Sequence, residues 1–362
     1  MKITFPYMGS TVIYQKVLEL LDHEVIMPPR PTQHTINLGV KYSPEFACFP
    51  YKVLLGSYIE SLQLGADTIL TSGGNGPCRA GFYNEVHRKT LLNLGYDVEM
   101  IVFDDIYRNP KLFMERLWKI KNRKSWIRVI KAIYTAYELA HAIDSLQKVM
   151  ELKRPYELEP GSFSAVFEMM SQKFANEANT IKDIRRLKQE GMTLFHSIPV
   201  HEPPDNRKVR IGIVGEIYVV IESSINMGIA ELLNKLGCEV TRSLYVSEWV
   251  DHSLPKFLGK SDATILKSGK QYMEIGIGGH EIHNIGHMVF YKNKGFDGVV
   301  HLMPFACLPE LVTQSLIPKI SADLAMPILT LAIDEQSGAA NTLTRLEAFV
   351  ELVKNHKQLK AG

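Results

Sequence analysis

Cysteine is scarce in this chain. Cys48, Cys78, Cys238 and Cys307 are the four among 362 residues, too few to staple a protein of this length, and no two form a Cys-x-x-Cys pair. A disulfide scaffold is thereby excluded, and the wide gaps match no local zinc or ferredoxin clip. The thiols are expected to be reduced, either idle or metal-bound. Charge of one sign is also missing. Lys plus Arg number 41 and Asp plus Glu 39, leaving +2, so net charge draws the chain neither to nucleic acid nor to a membrane.

Long apolar runs are absent too. Val209 to Ala230 is broken by Arg210, Glu216 and Glu222, short of the roughly 18 uncharged residues of a membrane span. Met1 to Pro6 reads as a first strand and not as the apolar core of a secretory signal. A cytoplasmic protein with no membrane partner is expected. No phosphate loop for ATP is found either: Lys267-Ser268-Gly269-Lys270 holds a Gly-Lys pair, but Thr264 and Gln271 stand where a Walker loop needs glycine and Ser or Thr. His280, His283 and His287 suggest zinc, yet Asn284 occupies the second histidine position of His-Glu-x-x-His.

What is present belongs to a folded α/β protein. Hydrophobic residues make up 46% and charged residues 22%, which excludes a disordered or fibrous chain. The length suits two or three domains. Residues 1 to 105 alternate short β-rich runs with helical patterns: Ile3–Pro6, Thr11–Leu21, Glu24–Met27, Val53–Leu64, Thr68–Thr71, Glu85–Leu94 and Val98–Phe103. Such alternation predicts a parallel sheet wrapped by crossover helices. From 106 to 200 the strand signal gives way to helical periodicity in Phe113, Leu117, Ile120, Ile127, Ile130 and Tyr134, and the segment closes in a proline-rich linker. Residues 201 to 362 repeat the α/β plan, with a strand running into a turn over Val209–Glu216, strands at Gly298–Leu302 and Ile328–Ile333 and a closing helix at Leu343–Val353. The expected architecture is two doubly wound parallel-sheet domains joined by a helical insert.

A short echo links the halves. Phe46-Ala47-Cys48-Phe49-Pro50 and Phe305-Ala306-Cys307-Leu308-Pro309 share Phe-Ala-Cys-x-Pro. The proline suits the first turn of a helix, which puts each sulfur at a helix N-terminus, where unpaired N–H groups favour a thiolate. Cys78 follows the glycine-rich turn Ser72 to Pro77 and fits the same plan. Strand-to-helix turns of doubly wound sheets lie at the carboxyl edge, where ligands bind. The simpler alternative is three buried thiols, free Cys being among the most buried residue types. Cys238, inside a strand pattern, is expected to be core packing.

Taken together, Phe46 to Lys52, Gly76-Pro77-Cys78-Arg79-Ala80-Gly81-Phe82-Tyr83, Gly215-Glu216, Phe296 to Val300, Pro304 to Glu310 and Thr344 to Phe349 resemble the 2-hydroxyacyl-CoA dehydratase D-component superfamily. The likeness is to its activase-related branch, the CoA protein activase-like proteins, and covers both α/β halves. It implies a [4Fe–4S] cluster held by Cys48, Cys78 and Cys307 in a cleft between domains, with one iron open. It further implies low-potential electrons delivered by a separate ATP-hydrolysing iron–sulfur activase, and the reduction or dehydration of a small molecule such as a CoA thioester. Dehydratases of this kind pair two related subunits, so a heterodimer of that sort or a homodimer is expected. Lys52 and Arg79 lie beside cluster cysteines in sequence and Glu310 is a candidate proton donor or fourth ligand. Gly276, Gly278 and Gly279 could offer backbone N–H groups to a phosphate or a cluster sulfide. The rivals are a non-catalytic module that binds an activase, and a zinc protein using the same cysteines.

Between Arg108 and Lys131 nine Lys or Arg residues face Glu115 alone, interleaved with Trp118 and Trp126. This segment is a candidate surface for an acidic partner or for the phosphates of CoA. No nucleic-acid recognition fold accompanies it, so nucleic acid is not an expected ligand.

Overall fold

The computed structural model describes residues 1–72, 78–103, 109–253 and 263–361. The chain begins with β1 (Lys2–Thr4), α1 (Val12–Leu20), β2 (Glu24–Val25), α2 (Gln33–Tyr42), α3 (Phe49–Gln63), β3 (Thr68–Ser72), α4 (Ala80–Asn93) and β4 (Glu99–Phe103). The four strands pair in parallel in the order β2-β1-β3-β4. Apolar residues point to alternate sides of a strand, and helices cover both sides. Ile69 packs with Tyr58, Leu62 and Leu91 of α3 and α4, whereas Leu70 joins Leu18, Leu21 and Ile101 on the other face.

Next come α5 (Pro110–Ile120), α6 (Trp126–Lys153), α7 (Ser162–Glu177) and α8 (Ile181–Ser197). Ser125 caps α6 by accepting the Arg128 N–H, and Thr180 with Asp183 forms a capping box on α8. Leu139, Ile143 and Leu146 of α6 meet Met170, Phe174, Ile184 and Leu187 in a core of their own.

The last part holds β5 (Val209–Gly215), α9 (Ile217–Ile221), α10 (Ile229–Lys235), β6 (Cys238–Arg242), α11 (Val246–Ser253), α12 (Ala263–Lys270), α13 (Glu281–Asn293), β7 (Gly298–Pro304), α14 (Leu308–Leu324), β8 (Ile328–Ile333) and α15 (Ala339–Ala361). A second four-stranded parallel sheet runs β6-β5-β7-β8. Every residue of β7 is buried, as befits an inner strand covered on both faces. Ile211, Ile213 and Val300 pack towards α10 and α15, and Val214 and Val299 towards α13 and α14. The molecule is therefore an α/β protein with two parallel sheets and a helical segment between them.

Helix α2 was not foreseen from the sequence. Its polar face hides the reason it matters: it crosses α3 backbone to backbone. A Cβ at Gly39 would sit 1.8 Å from the Lys52 carbonyl oxygen, and one at Gly56 1.9 Å from that of Thr35. Only glycine permits this approach, which fixes α3 and with it Cys48 at its start. No helix among the described residues is long and apolar enough to cross a membrane.

Candidate metal centre

Cys48 and Cys307 are the N-cap residues of α3 and α14, each with extended backbone and with Pro50 or Pro309 in the first helical turn. Cys78 lies two residues before α4. The turn from 73 to 77 that precedes it lies outside the described residues. The loops bearing the three cysteines are tied together. The Phe49 N–H donates to the Phe305 carbonyl oxygen at 3.4 Å. Arg79, next to Cys78, donates to the carbonyl oxygens of Phe46 at 2.8 Å and of Ala306. Its guanidinium thus joins the loops of Cys48 and Cys307. Ala306 holds a left-handed backbone at φ 62°, a conformation costly to residues other than glycine and concentrated at functional sites.

Cys48 feels the charge of Cys78, and Cys307 that of Cys48. Burial raises the Cys48 thiol to about 11, with the hydrogen bond from Tyr83 opposing and Cys78 adding a smaller upward push. Burial is also the main cause for Cys78 and for Cys307, the latter raised further by Glu310, Glu216 and Cys48. Burial thus works against the helix N-terminus at each sulfur, raising the thiol where the helix end lowers it. A bound cation would be needed to offset it. Among the described residues no three His, Cys, Asp or Glu side chains are gathered into a set that could clasp one metal ion.

The charged candidates are placed but largely occupied. Lys52 is buried on α3 and pairs with Glu335, past the end of β8, at 2.7 Å. It joins the two sheet units. Glu310, 1% exposed, receives two hydrogen bonds from Asn284 Nδ2 at 2.9 and 3.1 Å and meets His301 Nε2 at 2.7 Å. Asn284 Oδ1 in turn accepts the Gly215 N–H. Both oxygens of Glu310 are thus engaged by Asn284 and His301 at the α14 N-terminus. The glycine loop departs further from expectation. The N–H groups of Ile277 and Gly279 donate to the Glu281 carboxylate at 2.5 and 3.0 Å. Gly276 and Gly279 leave room for that carboxylate, since a Cβ at either would lie 3.0 Å from it. Of the loop expected to receive an anion at Gly276, Gly278 and Gly279, the N–H of Gly279 is already used by the chain's own Glu281.

Sequence reasoning missed Glu216, and Glu281, Tyr83, Asn284 and His301 with it. Glu216 stands at the carboxyl end of β5 as N-cap of α9 and accepts the N–H groups of Tyr218 and Val219. Burial raises it to about 7, against those bonds, with Glu310 adding to the rise, and its charge touches all three motif cysteines. The strand-end pair Gly215-Glu216 was the local signal for Glu216, and the motif Gly76 to Tyr83 that for Tyr83. Cys238, by contrast, is fully buried at the start of β6, the amino edge of the second sheet, away from the other three. A groove of about 670 Å³ lined by Met326, Leu329, Phe349 and Leu352 also lies away from the cysteines.

Behind the site His87 is stacked on Tyr51 at 4.0 Å, with Nε2 bound to the Tyr51 carbonyl oxygen. Burial lowers its pKa from 6.5 to about 4, the carbonyl bond opposing. A base whose folded pKa is depressed keeps its full contribution above the unfolded value. Stability should therefore be whole above pH 6.5 and fall between 6.5 and 4, by about 3 kcal/mol for a displacement of that size. Urea unfolding at pH 7.5, 5 and 4 checks this. His87→Phe should flatten the pH dependence, and an identical loss in that variant would mean other groups cause it.

The basic segment is less available than its composition suggests. Lys119 pairs with Glu99, and Lys124 and Arg128 both pair with Asp22. Arg116 donates to the Val102 carbonyl oxygen, and Lys121 lies over the rings of Trp118 and Trp126. Lys111, Lys119, Arg123, Arg128 and Lys131 are its exposed cations among the described residues, Lys119 and Arg128 in the ion pairs just named; Arg108 lies outside the described residues. His287 Nδ1 is turned to the His283 carbonyl oxygen on α13. No protein-family model matches the chain, and no curated protein matches it.

Proposed function

We propose that the chain is an iron–sulfur protein of the 2-hydroxyacyl-CoA dehydratase type. In this reading Cys48, Cys78 and Cys307 hold a [4Fe–4S] cluster in a cleft between two doubly wound domains. The observation that supports it is that the loops bearing the three cysteines, each at or just before a helix start, are tied together by Arg79 and by the Phe49–Phe305 hydrogen bond. The donor set suits the group. Two buried thiols and the half-buried Cys78 gain from a cation, and a cubane binds each sulfur to a different iron, so its ligands stand wider apart than those of a single ion, where zinc needs sulfur at about 2.3 Å.

When bound, such a cluster supplies one electron at low potential and an iron open to a substrate oxygen. The residues around it do the remaining work. Lys52 and Glu335 hold the two halves together, Arg79 fixes the loops, and the His301–Glu310–Asn284 network holds the α14 N-terminus that carries Cys307. Glu216, with a pKa near neutrality, can give or take a proton beside the sulfurs. The proposed substrate is a small molecule, CoA thioesters included, and the proposed partner is an ATP-hydrolysing activase. That Lys52, Arg79 and Glu310 are all engaged within the chain favours one alternative, an accessory module served by the same activase.

Anaerobic purification with iron, sulfide and zinc analysis tests the cluster: iron and sulfide in equal amounts are expected, and zinc or an empty site would refute it. Reduction followed by absorbance with activase, reductant and ATP, omitting each in turn, tests the partner. Reduction should need all three. Charge reversal at Lys111, Arg123 and Lys131 together should slow it and weaken its salt dependence; full reduction by reductant alone at the same rate would exclude the activase.

A further inference from the structure

We infer that Tyr83 tunes the electron affinity of the centre by donating a hydrogen bond to the sulfur of Cys48. The inference rests on the cluster reading above and adds a residue to it. Tyr83 Oη lies 2.8 Å from Cys48 Sγ. With both groups protonated either can donate. Once the sulfur is a metal-bound thiolate it has no proton, and only the phenol can be the donor, so binding of the cluster sets the direction of the bond.

The geometry is held from behind. Tyr83 stands on the first turn of α4, the helix that follows Cys78, so one helix start places a sulfur and a donor to a second sulfur. Its ring meets Tyr51 edge-on at 4.8 Å and 74°. Tyr51 is stacked on His87 at 4.0 Å and 22°, and Tyr58 closes the far side of His87 edge-on at 5.4 Å. Tyr58 is anchored by its hydroxyl to Thr71 at 3.1 Å, and His87 by Nε2 to the Tyr51 carbonyl oxygen at 3.0 Å. A phenol fixed by such a stack presents its proton to the sulfur without having to be ordered for it.

Hydrogen bonds to cluster sulfurs are one of the means by which a protein sets the potential. Added electron density resides partly on the sulfurs, so a donor stabilises the reduced state more than the oxidised one and raises the potential. Tyr83 is then a positioning residue acting through Cys48.

The test is an anaerobic redox titration of reconstituted protein with dithionite and mediators, read by absorbance and electron paramagnetic resonance. Tyr83→Phe keeps the ring and removes the donor. It should keep its iron and show a reduction equilibrium about tenfold less favourable, ~59 mV lower for a one-electron couple, with altered sulfur-to-iron absorption. Tyr58→Phe removes a hydroxyl from the same stack that is directed at Thr71, and should leave the potential unchanged. Incorporation of 3-fluorotyrosine at position 83, a stronger donor, should shift it upward. Wild-type potential in Tyr83→Phe, or equal shifts in both Phe variants, overturns the inference while the cluster stands. Wild-type protein that takes up no iron and sulfide overturns the cluster reading itself.

Discussion

Alanine in place of Cys48, Cys78 or Cys307 should remove most of the iron bound by the anaerobically prepared protein, whereas Cys238→Ala should leave it unchanged. Each of the three motif sulfurs sits at or just before a helix start in the tied loops, and each would be one of three protein ligands, so removing one leaves two. Two thiolates from loops this far apart in sequence, 30 to 259 positions, do not retain a cubane. Cys238 is buried at the opposite edge of its sheet, its carbonyl oxygen held by Asn234. Its truncation costs packing only, on the order of 1 kcal/mol for so small a side chain. Iron per chain by plasma emission, with circular dichroism to confirm folding, reads the outcome. Equal iron loss in all four variants would indicate unfolding in place of ligand removal.

Glu151→Ala should be the most destabilising single change outside the cysteine site, by about 3–5 kcal/mol. Glu151 on α6 is fully buried and forms an ion pair with Arg242 at the end of β6, while the Tyr245 hydroxyl donates to its other oxygen at 2.7 Å. Arg242 also donates to the carbonyl oxygens of Val220 and Ile221. Around this pair Asp144 accepts the Ser247 N–H at 2.6 Å and Lys148 pairs with Glu248. These contacts fasten α6 to the second sheet. Removing the carboxylate leaves a guanidinium buried without its anion, which costs more than the pair contributes. The double change Glu151→Leu with Arg242→Met should therefore be more stable than Glu151→Ala. Urea unfolding at pH 7.5 measures all three. A loss below about 1 kcal/mol in Glu151→Ala would show that water or rearrangement readily replaces the pair.

Local chemistry was readable where it is carried by neighbours in the chain. The apolar strand runs around Ile69, Ile213 and Val300 give the parallel sheets, and Pro50 and Pro309 two residues past a cysteine give its N-cap position. Where the partner is distant in sequence, composition misled. The nine basic residues from Arg108 to Lys131 read as one patch, but Asp22 and Glu99, from another part of the chain, neutralise three of them. The glycine loop read as an open anion site, but Glu281 folds back into it.

The sequence by itself determined that the chain is α/β with parallel sheets, that its amino acids build no disulfide scaffold and no Walker loop, and that three cysteines share one kind of local setting. These follow from periodicity, turn chemistry and residue count, which act within a few positions. Only the tertiary structure decided which groups surround those cysteines. Burial acts through all neighbours at once, so it raises the Cys48 thiol to about 11 against the pull of a helix end and brings Glu216 to about 7. It also sets Tyr83 against Cys48, Lys52 against Glu335 and His301 against Glu310. Desolvation and directed hydrogen bonds depend on where the chain returns to itself, and that distance is not written in any local pattern.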